Sequence, residues 1–140
     1  MGKKKGKDLA QETLEKLNLN FSFQYYDTAK GNKYCLSEWS KEDVKYTLSR
    51  LREMCTKPLS EIVRDRSSYH FYETDWNKTI FKGGFPSRIG QLNKLAPFHF
   101  SIIGLNSTKA RVFGAQYKST FYIAWFDYDH EILPVKLKNT

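Results

Sequence analysis

The length and composition of this chain exclude several classes of protein. Its 140 residues, of which 40% are hydrophobic and 16% aromatic, can bury one core and leave no room for a second. No apolar run can cross a bilayer, and the basic start is not followed by the apolar stretch of a signal peptide, so we expect a soluble cytoplasmic protein without a membrane partner. Two isolated cysteines, Cys35 and Cys55, are too few for a disulfide framework or a zinc site.

The net charge points to an anionic partner. The formal charge is +8, and Lys3, Lys4, Lys5 and Lys7 supply four of the positive charges. We therefore expect a basic flexible tail over residues 1–8 and a single domain over 9–140. Such a tail attracts phosphate backbones without choosing a sequence, although a merely solubilising terminus has the same composition.

The first predicted elements are a helix and a strand. Residues 9–17 place leucines on one side of a short amphipathic helix, with acidic and amide residues between them. Aromatic residues then alternate with others over residues 21–26, which predicts a strand that ends before the turn at Gly31 and Asn32. This strand can also continue through Tyr34 and Leu36.

A pair of helices is predicted next. Ser40 and Asp43 have the spacing of a capping box, which opens a helix. Its apolar stripe consists of Val44, Leu48, Leu51 and Cys55. Pro58 suits the first turn of a second, shorter helix. That helix is predicted to bury Leu59, Ile62 and Val63.

Residues 64–95 form an irregular connection that is rich in aromatic and basic residues. Rings that stack on bases, together with cations that meet phosphates, are what single-stranded nucleic acid requires of a binding surface. The alternative is that the rings complete a small core. The candidate nucleic-acid-binding residues are Arg64, Arg66, Lys82, Arg88 and Lys94 here, and Lys109 further along the chain.

Three strand-like runs follow, over residues 98–103, 109–114 and 120–126. In the first run Phe98 and Phe100 lie on one face and His99 on the other, because side chains alternate along a strand. The last run carries bulk on both faces, which is typical of a central strand. Its faces are predicted to be Phe121, Ile123 and Trp125 against Tyr122, Ala124 and Phe126. Short turns make the three runs an antiparallel meander.

An acidic and histidine cluster ends the meander. Asp127, Asp129, His130 and Glu131 include good ligands for a divalent cation. Neighbouring residues of an extended chain point apart, so this run can give at most two ligands to one ion. We therefore expect no metal site and no cofactor.

The order of elements resembles that of the RelE-type toxin ribonucleases, over residues from about Phe21 to Glu131. In this family two helices pack on one face of a strongly twisted sheet, and the toxin binds an acidic antitoxin protein. The family places Arg and Lys on the open sheet face and a His or Tyr near the last strand. The corresponding residues here are Arg111 and His130 or Tyr122.

A second resemblance concerns two short segments. Lys109-Ala-Arg-Val-Phe-Gly114 and Trp125-Phe-Asp127 are similar to segments of uncharacterised small proteins of bacteria and phages. This similarity implies a microbial origin and no particular activity.

If the protein cleaves RNA, each candidate residue would have its own role in the reaction. The reaction needs a proton removed from a 2′-hydroxyl, stabilisation of phosphorane charge and a proton for the leaving oxygen. Arg111 has the fork that matches phosphate oxygens, and His130 can act as acid or base near neutral pH, with His99 as a second candidate. Each has a structural alternative. His99 can be an interior histidine, and His130 can lie in a solvated turn. Arg111 can pair with Asp127 or Asp129.

The sequence thus predicts an α+β domain, with an antiparallel sheet packed against two helices and an additional N-terminal helix. The predicted function is metal-independent cleavage of RNA by a RelE-like toxin. The alternatives are a non-catalytic module that binds RNA or single-stranded nucleic acid, and a protein-interaction module.

Overall fold

A computed structural model describes residues 17–134 of the chain. The predicted tail and all but the last residue of the predicted N-terminal helix lie outside the described residues. The strands are β1 (Asn20–Ser22), β2 (Tyr72–Glu73), β3 (Ala96–Ser101), β4 (Arg111–Tyr117) and β5 (Thr120–Asp127). The α-helices are α1 (Lys41–Met54), α2 (Leu59–Arg64) and α3 (Arg66–Tyr69), and the 3-10 helices are Leu36–Glu38, Trp76–Lys78 and Ser87–Lys94. None of these helices is long and apolar enough to cross a bilayer.

The five strands form one mixed sheet in the order β1-β5-β4-β3-β2. The predicted meander of β3, β4 and β5 is antiparallel. The prediction of a wholly antiparallel sheet is wrong, because β1 runs parallel to β5, with Asn20 opposite Thr120. A hairpin fixes the direction of the strands that it joins, whereas β1 is separated from the sheet by helices and reaches its edge independently. The α+β class is confirmed, and β5 is an interior strand as predicted.

Two strand predictions need smaller corrections. The first strand is limited to β1, because the chain turns where Tyr26 N donates to Phe23 O at 3.0 Å. The second run of the meander starts later than predicted and extends through Tyr117. The turn to β5 is accordingly short, with Tyr117 opposite Thr120 and Lys118 at φ 54°.

A β-bulge changes which side chains of β5 share a face. The register between β4 and β5 shifts at Phe113 and Gly114. As a result Trp125 packs beside Phe113 on one face, while Phe126 joins the core on the other. The simple alternation predicted for Trp125 and Phe126 is therefore wrong.

The helices cover one face of the sheet. Ser40 caps α1, since its side chain accepts a hydrogen bond from Asp43 N at 3.1 Å. The buried face of α1 consists of Thr47, Leu51 and Met54. The predicted stripe was rotated, because Leu48 is 49% exposed. Both helices begin near Ser40 and Pro58, as predicted.

The aromatic segment 76–95 covers the second face. Its buried rings and aliphatic chains pack on Trp125, Phe113 and Ala115. Asp27, which is 1% exposed, links this segment to the sheet. Its carboxylate accepts two hydrogen bonds from Arg88, at 2.9 and 2.8 Å, and one from Trp125 Nε1 at 2.8 Å. Most of the aromatic side chains of this connection thus belong to a core.

Candidate functional site

Polar side chains meet on the second face, where β3 and β5 end and β4 begins. Ser101 of β3 lies opposite Arg111 of β4, which lies opposite Asp127 of β5. Residues directly opposite one another in an antiparallel pair project to the same face. His70 Nδ1 and Ser101 Oγ form a hydrogen bond of 3.0 Å at one end of the row. We call this row, together with His99 and His130, the strand-end cluster.

His99 is the buried histidine of the cluster. It is 7% exposed, stacks on Phe113 at 5.1 Å and shares a hydrogen bond of 2.8 Å between Nδ1 and Thr74 Oγ1. Burial, together with the smaller effects of the positive charges of Arg111 and His130, lowers its pKa to about 4. The imidazole is therefore neutral at physiological pH.

Arg111 is half-buried and oriented by backbone oxygens. Its Nη1 donates to the carbonyl oxygens of Thr108 at 2.5 Å and Ala110 at 3.2 Å. Burial lowers its pKa, while the nearby Asp127 opposes that shift. Within residues 17–134 the two side chains form no ion pair. The guanidinium thus keeps a charge that no carboxylate contacts directly.

Asp127 instead organises the turn that carries His130. Its carboxylate accepts hydrogen bonds from Glu131 N at 3.0 Å and Ile132 N at 2.7 Å. Burial raises its pKa, and these two hydrogen bonds limit the rise. The turn places His130 at φ 60°, with its Nδ1 buried and without a hydrogen-bond partner among the described residues. A buried polar atom without a partner is costly, so the hydrogen-bonding capacity of this nitrogen is unused within the described residues.

Strained backbone surrounds the cluster. Six non-glycine residues in 17–134 have positive φ, and five of them lie beside it. These five are His70, Asn106, Ser107, Thr108 and His130. Asn106 also ties its loop to the His130 turn, because Nδ2 donates to Tyr128 O at 2.9 Å and Asp129 Oδ1 at 3.1 Å. Strain of this kind persists only where the surrounding contacts hold it.

An open depression of about 490 Å³ adjoins the cluster. Lys109, Asp129, His130, Glu131 and Pro134 line it. A ligand in this depression would meet the ring of His130 and the ammonium of Lys109 beside two carboxylates.

The cluster gathers some of the predicted site residues and leaves others apart. Arg111, His99, His130 and Lys109 come together, whereas Tyr122 packs on Tyr25 at 5.8 Å further back along β5. Tyr122 lies five positions before Asp127, about 17 Å away along the strand.

The basic residues predicted to bind nucleic acid are dispersed. Arg66 lies near the edge strand β2, with its guanidinium 5.9 Å from the ring centre of Tyr72. Arg88 is engaged by Asp27, and Lys82 donates to Asn77 O at 3.0 Å. Arg64 ends α2, and Lys94 ends the 3-10 helix that leads to β3.

Sequence reasoning missed Ser101, Thr74 and the role of Asp127. Ser101 lies two residues after His99 on β3, so the strand pattern already put both on one face. Asp127 directly precedes a turn, and an aspartate at such a position often accepts hydrogen bonds from the backbone N–H groups of the turn. Thr74 reaches His99 across 25 residues of chain, and no local pattern signals that contact.

No group of three or more His, Cys, Asp or Glu in residues 17–134 is arranged to hold a metal ion. No family model matches the chain, and no curated protein or solved structure matches it either.

Proposed function

We propose that the protein is an endoribonuclease that cleaves RNA without a metal ion, the activity that the RelE-type layout implies. The observation that carries this proposal is the strand-end cluster, where Arg111 lies opposite Asp127 and the turn that follows Asp127 places His130 in an open depression. Two helices on one sheet face also agree with that layout. Here the opposite face is covered by residues 76–95, so the substrate would bind at the strand ends.

Arg111 and Lys109 supply the positive charge for the reaction. The Nη1 contacts to backbone oxygens fix the orientation of the guanidinium, so a phosphate would meet its Nε and Nη2 edge. A fixed donor stabilises charge that develops on phosphate oxygens without having to reorganise during the reaction. Lys109, exposed at the rim of the depression, attracts the same phosphate.

His130 is suited to proton transfer because it lines the depression. It would take the proton of the 2′-hydroxyl as the 2′-oxygen attacks phosphorus to form a 2′,3′-cyclic phosphate, and the departing 5′-oxygen would take a proton from water. His99 lies beneath the surface and stays neutral, so it fits the position of a residue that orients the site. Asp127 is a positioning residue, since it holds the turn of His130.

The test is cleavage of an end-labelled single-stranded RNA in the presence of a chelator. Arg111→Ala and His130→Asn should each lower the rate about a hundredfold or more. Asparagine is chosen because it tolerates the left-handed backbone of His130. A deoxynucleotide at the cleaved position should abolish cleavage there, since it lacks the attacking oxygen.

Lys118→Asn is the matched control. Lys118 also has a left-handed backbone, but it is exposed at the turn between β4 and β5, far from the cluster. Its variant should cleave like the wild type, and thermal melting should show that all variants are folded. Equal rates for all proteins, or no cleavage by the wild type, would refute the proposed activity.

An apolar groove supports a second function, binding of an acidic protein. The groove, about 570 Å³, lies between the 3-10 helix Leu36–Glu38 and α1. Its apolar lining residues are Leu36, Trp39, Val44 and Leu48, and its basic ones are Lys41, Lys45 and Arg52. No carboxylate of the described chain lines it. An acidic amphipathic helix, such as an antitoxin could offer, complements this pattern.

A further inference from the structure

Tyr72 presents an exposed aromatic ring at the edge of the sheet. It lies on β2, which is at the edge of the sheet formed by residues 17–134, and it is 41% exposed. The ring of His70 is nearly parallel to it, at 10° and 6.4 Å between ring centres. The guanidinium of Arg66 lies 5.9 Å from the centre of the Tyr72 ring. The cation thus lies over one face of the ring, and a base could stack only on the part of the ring that stays exposed.

The Tyr72 ring shares a face with the strand-end cluster. Tyr72 is directly opposite His99 in the sheet, with 6.4 Å between their ring centres. From β2 to β4, where Arg111 lies, there are two strand spacings, or about 10 Å. A short single strand can therefore reach from this ring to Arg111.

We propose that Tyr72 is a stacking platform for a base of single-stranded RNA, with Arg66 meeting an adjacent phosphate. The strand continues from Tyr72 past His70 and Arg111 towards the depression at His130. The direction of this path rests on the proposed ribonuclease function, whereas the platform itself can be tested by binding alone. Base stacking on an aromatic side chain tolerates any sequence, because every base has a flat face.

A second tyrosine serves as a matched control. Tyr117 is 52% exposed, and the ammonium of Lys118 lies 5.3 Å from its ring centre. It ends β4, whereas Arg111 begins that strand, so the two are separated by the length of β4. Tyr117 thus has the exposure and the neighbouring cation of Tyr72 without its closeness to the cluster.

The experiment measures binding of a fluorescent 2′-O-methyl oligoadenylate to the full-length protein by anisotropy at low salt. The methyl group blocks the attacking oxygen, so binding is observed without cleavage. Tyr72→Ala should weaken binding about tenfold or more, because one base loses its stacking partner. Tyr72→Phe keeps the ring and should stay within about twofold of the wild type, and Tyr117→Ala should bind like the wild type.

Inorganic polyphosphate separates stacking from charge, because it has phosphates and no bases. Tyr72→Ala should bind polyphosphate as well as the wild type does. The platform is refuted if wild type fails to bind the oligonucleotide, if Tyr72→Ala and Tyr117→Ala lose equal affinity, or if polyphosphate binding falls in parallel. Cleavage that does not depend on Tyr72 refutes only the platform. Tyr72-dependent binding by a protein that cleaves nothing refutes only the ribonuclease.

Discussion

At the scale of single residues, burial decides the charge of His99. Its pKa is about 4 in the folded protein, against an ordinary value of 6.5. Between these two values the unfolded chain binds more protons than the folded one, so stability falls as the pH falls from 6.5 towards 4. The difference of 2.5 pKa units corresponds to about 3 kcal/mol at most.

The corresponding prediction concerns His99→Gln, which cannot titrate and can still accept a hydrogen bond from Thr74. Urea unfolding at several pH values should give a smaller loss of unfolding free energy between pH 7 and 4 than in the wild type. Near pH 5 the slope of unfolding free energy against pH should differ between the two proteins by the equivalent of up to about one bound proton. Identical pH profiles would mean that folding leaves the pKa of His99 unchanged, which would contradict the prediction.

Single residues of the site differ in how well the sequence predicts them. Alternation along β3 put His99 on the face opposite Phe98 and Phe100, and this assignment is confirmed by the separate environments of these side chains. The environment of Arg111 was not predictable, because the carbonyl groups that it contacts belong to a turn of left-handed residues. Such a conformation of Asn106, Ser107 and Thr108 depends on tertiary contacts and leaves no periodic pattern.

At the scale of elements, the bulge in β5 requires the absence of a side chain at Gly114. A Cβ built there would collide with the carbonyl oxygen of Tyr122 and lie 2.7 Å from Cε1 of Phe121. Gly114→Ala should therefore destabilise the protein by about 3 kcal/mol or more and lower its melting temperature by about 10 °C. Differential scanning calorimetry measures both quantities.

Gly83→Ala is the control for this prediction. A Cβ at Gly83 meets no atom within 4 Å, and its backbone is not in the left-handed region. Its melting temperature should stay close to that of the wild type. If Gly114→Ala were as stable as the wild type, the bulge would accommodate the added Cβ without loss of unfolding free energy, and the prediction would be wrong.

Local signals predicted most elements, and long-range packing decided their details. The Ser40 cap and the alternation of the meander are readable because they involve neighbouring residues. The exchange of faces between Trp125 and Phe126 is not readable, since the bulge depends on which residue of β4 lies opposite. The buried face of α1 was missed for a similar reason, because Leu48 lines a groove instead of the core.

At the scale of the whole molecule, the groove and the strand-end cluster lie on different faces of the sheet. Lys45→Glu should therefore weaken binding of an acidic amphipathic peptide about fivefold and leave RNA cleavage unchanged. The probe is a labelled helical peptide with leucines on one face and glutamates on the other, measured by anisotropy.

Lys118→Glu makes the same change of charge outside the groove. This control should retain more peptide affinity than Lys45→Glu, because only the latter alters the groove. Equal losses for the two variants would show that the peptide responds to net charge and does not use the groove.

Whole-molecule features were the hardest to predict. The edge position of β1 and the cover over the second face both join parts of the chain that are far apart in sequence. Asp27 and Arg88, for example, are 61 residues apart, and no local sequence pattern predicts their contact. Composition left open whether the rings of residues 64–95 bind nucleic acid or complete a core, and most of them lie in a core.

The parallel pairing of β1 with β5 has a consequence for synthesis of the chain. Asn20 leaves the ribosome about a hundred residues before Thr120, its neighbour in the sheet. During that interval β1 has no strand to pair with, and closing so long a loop is costly in entropy and slow. Arg111 and His130 also emerge late. A nascent chain thus carries an unpaired β1 well before the strand-end cluster can assemble.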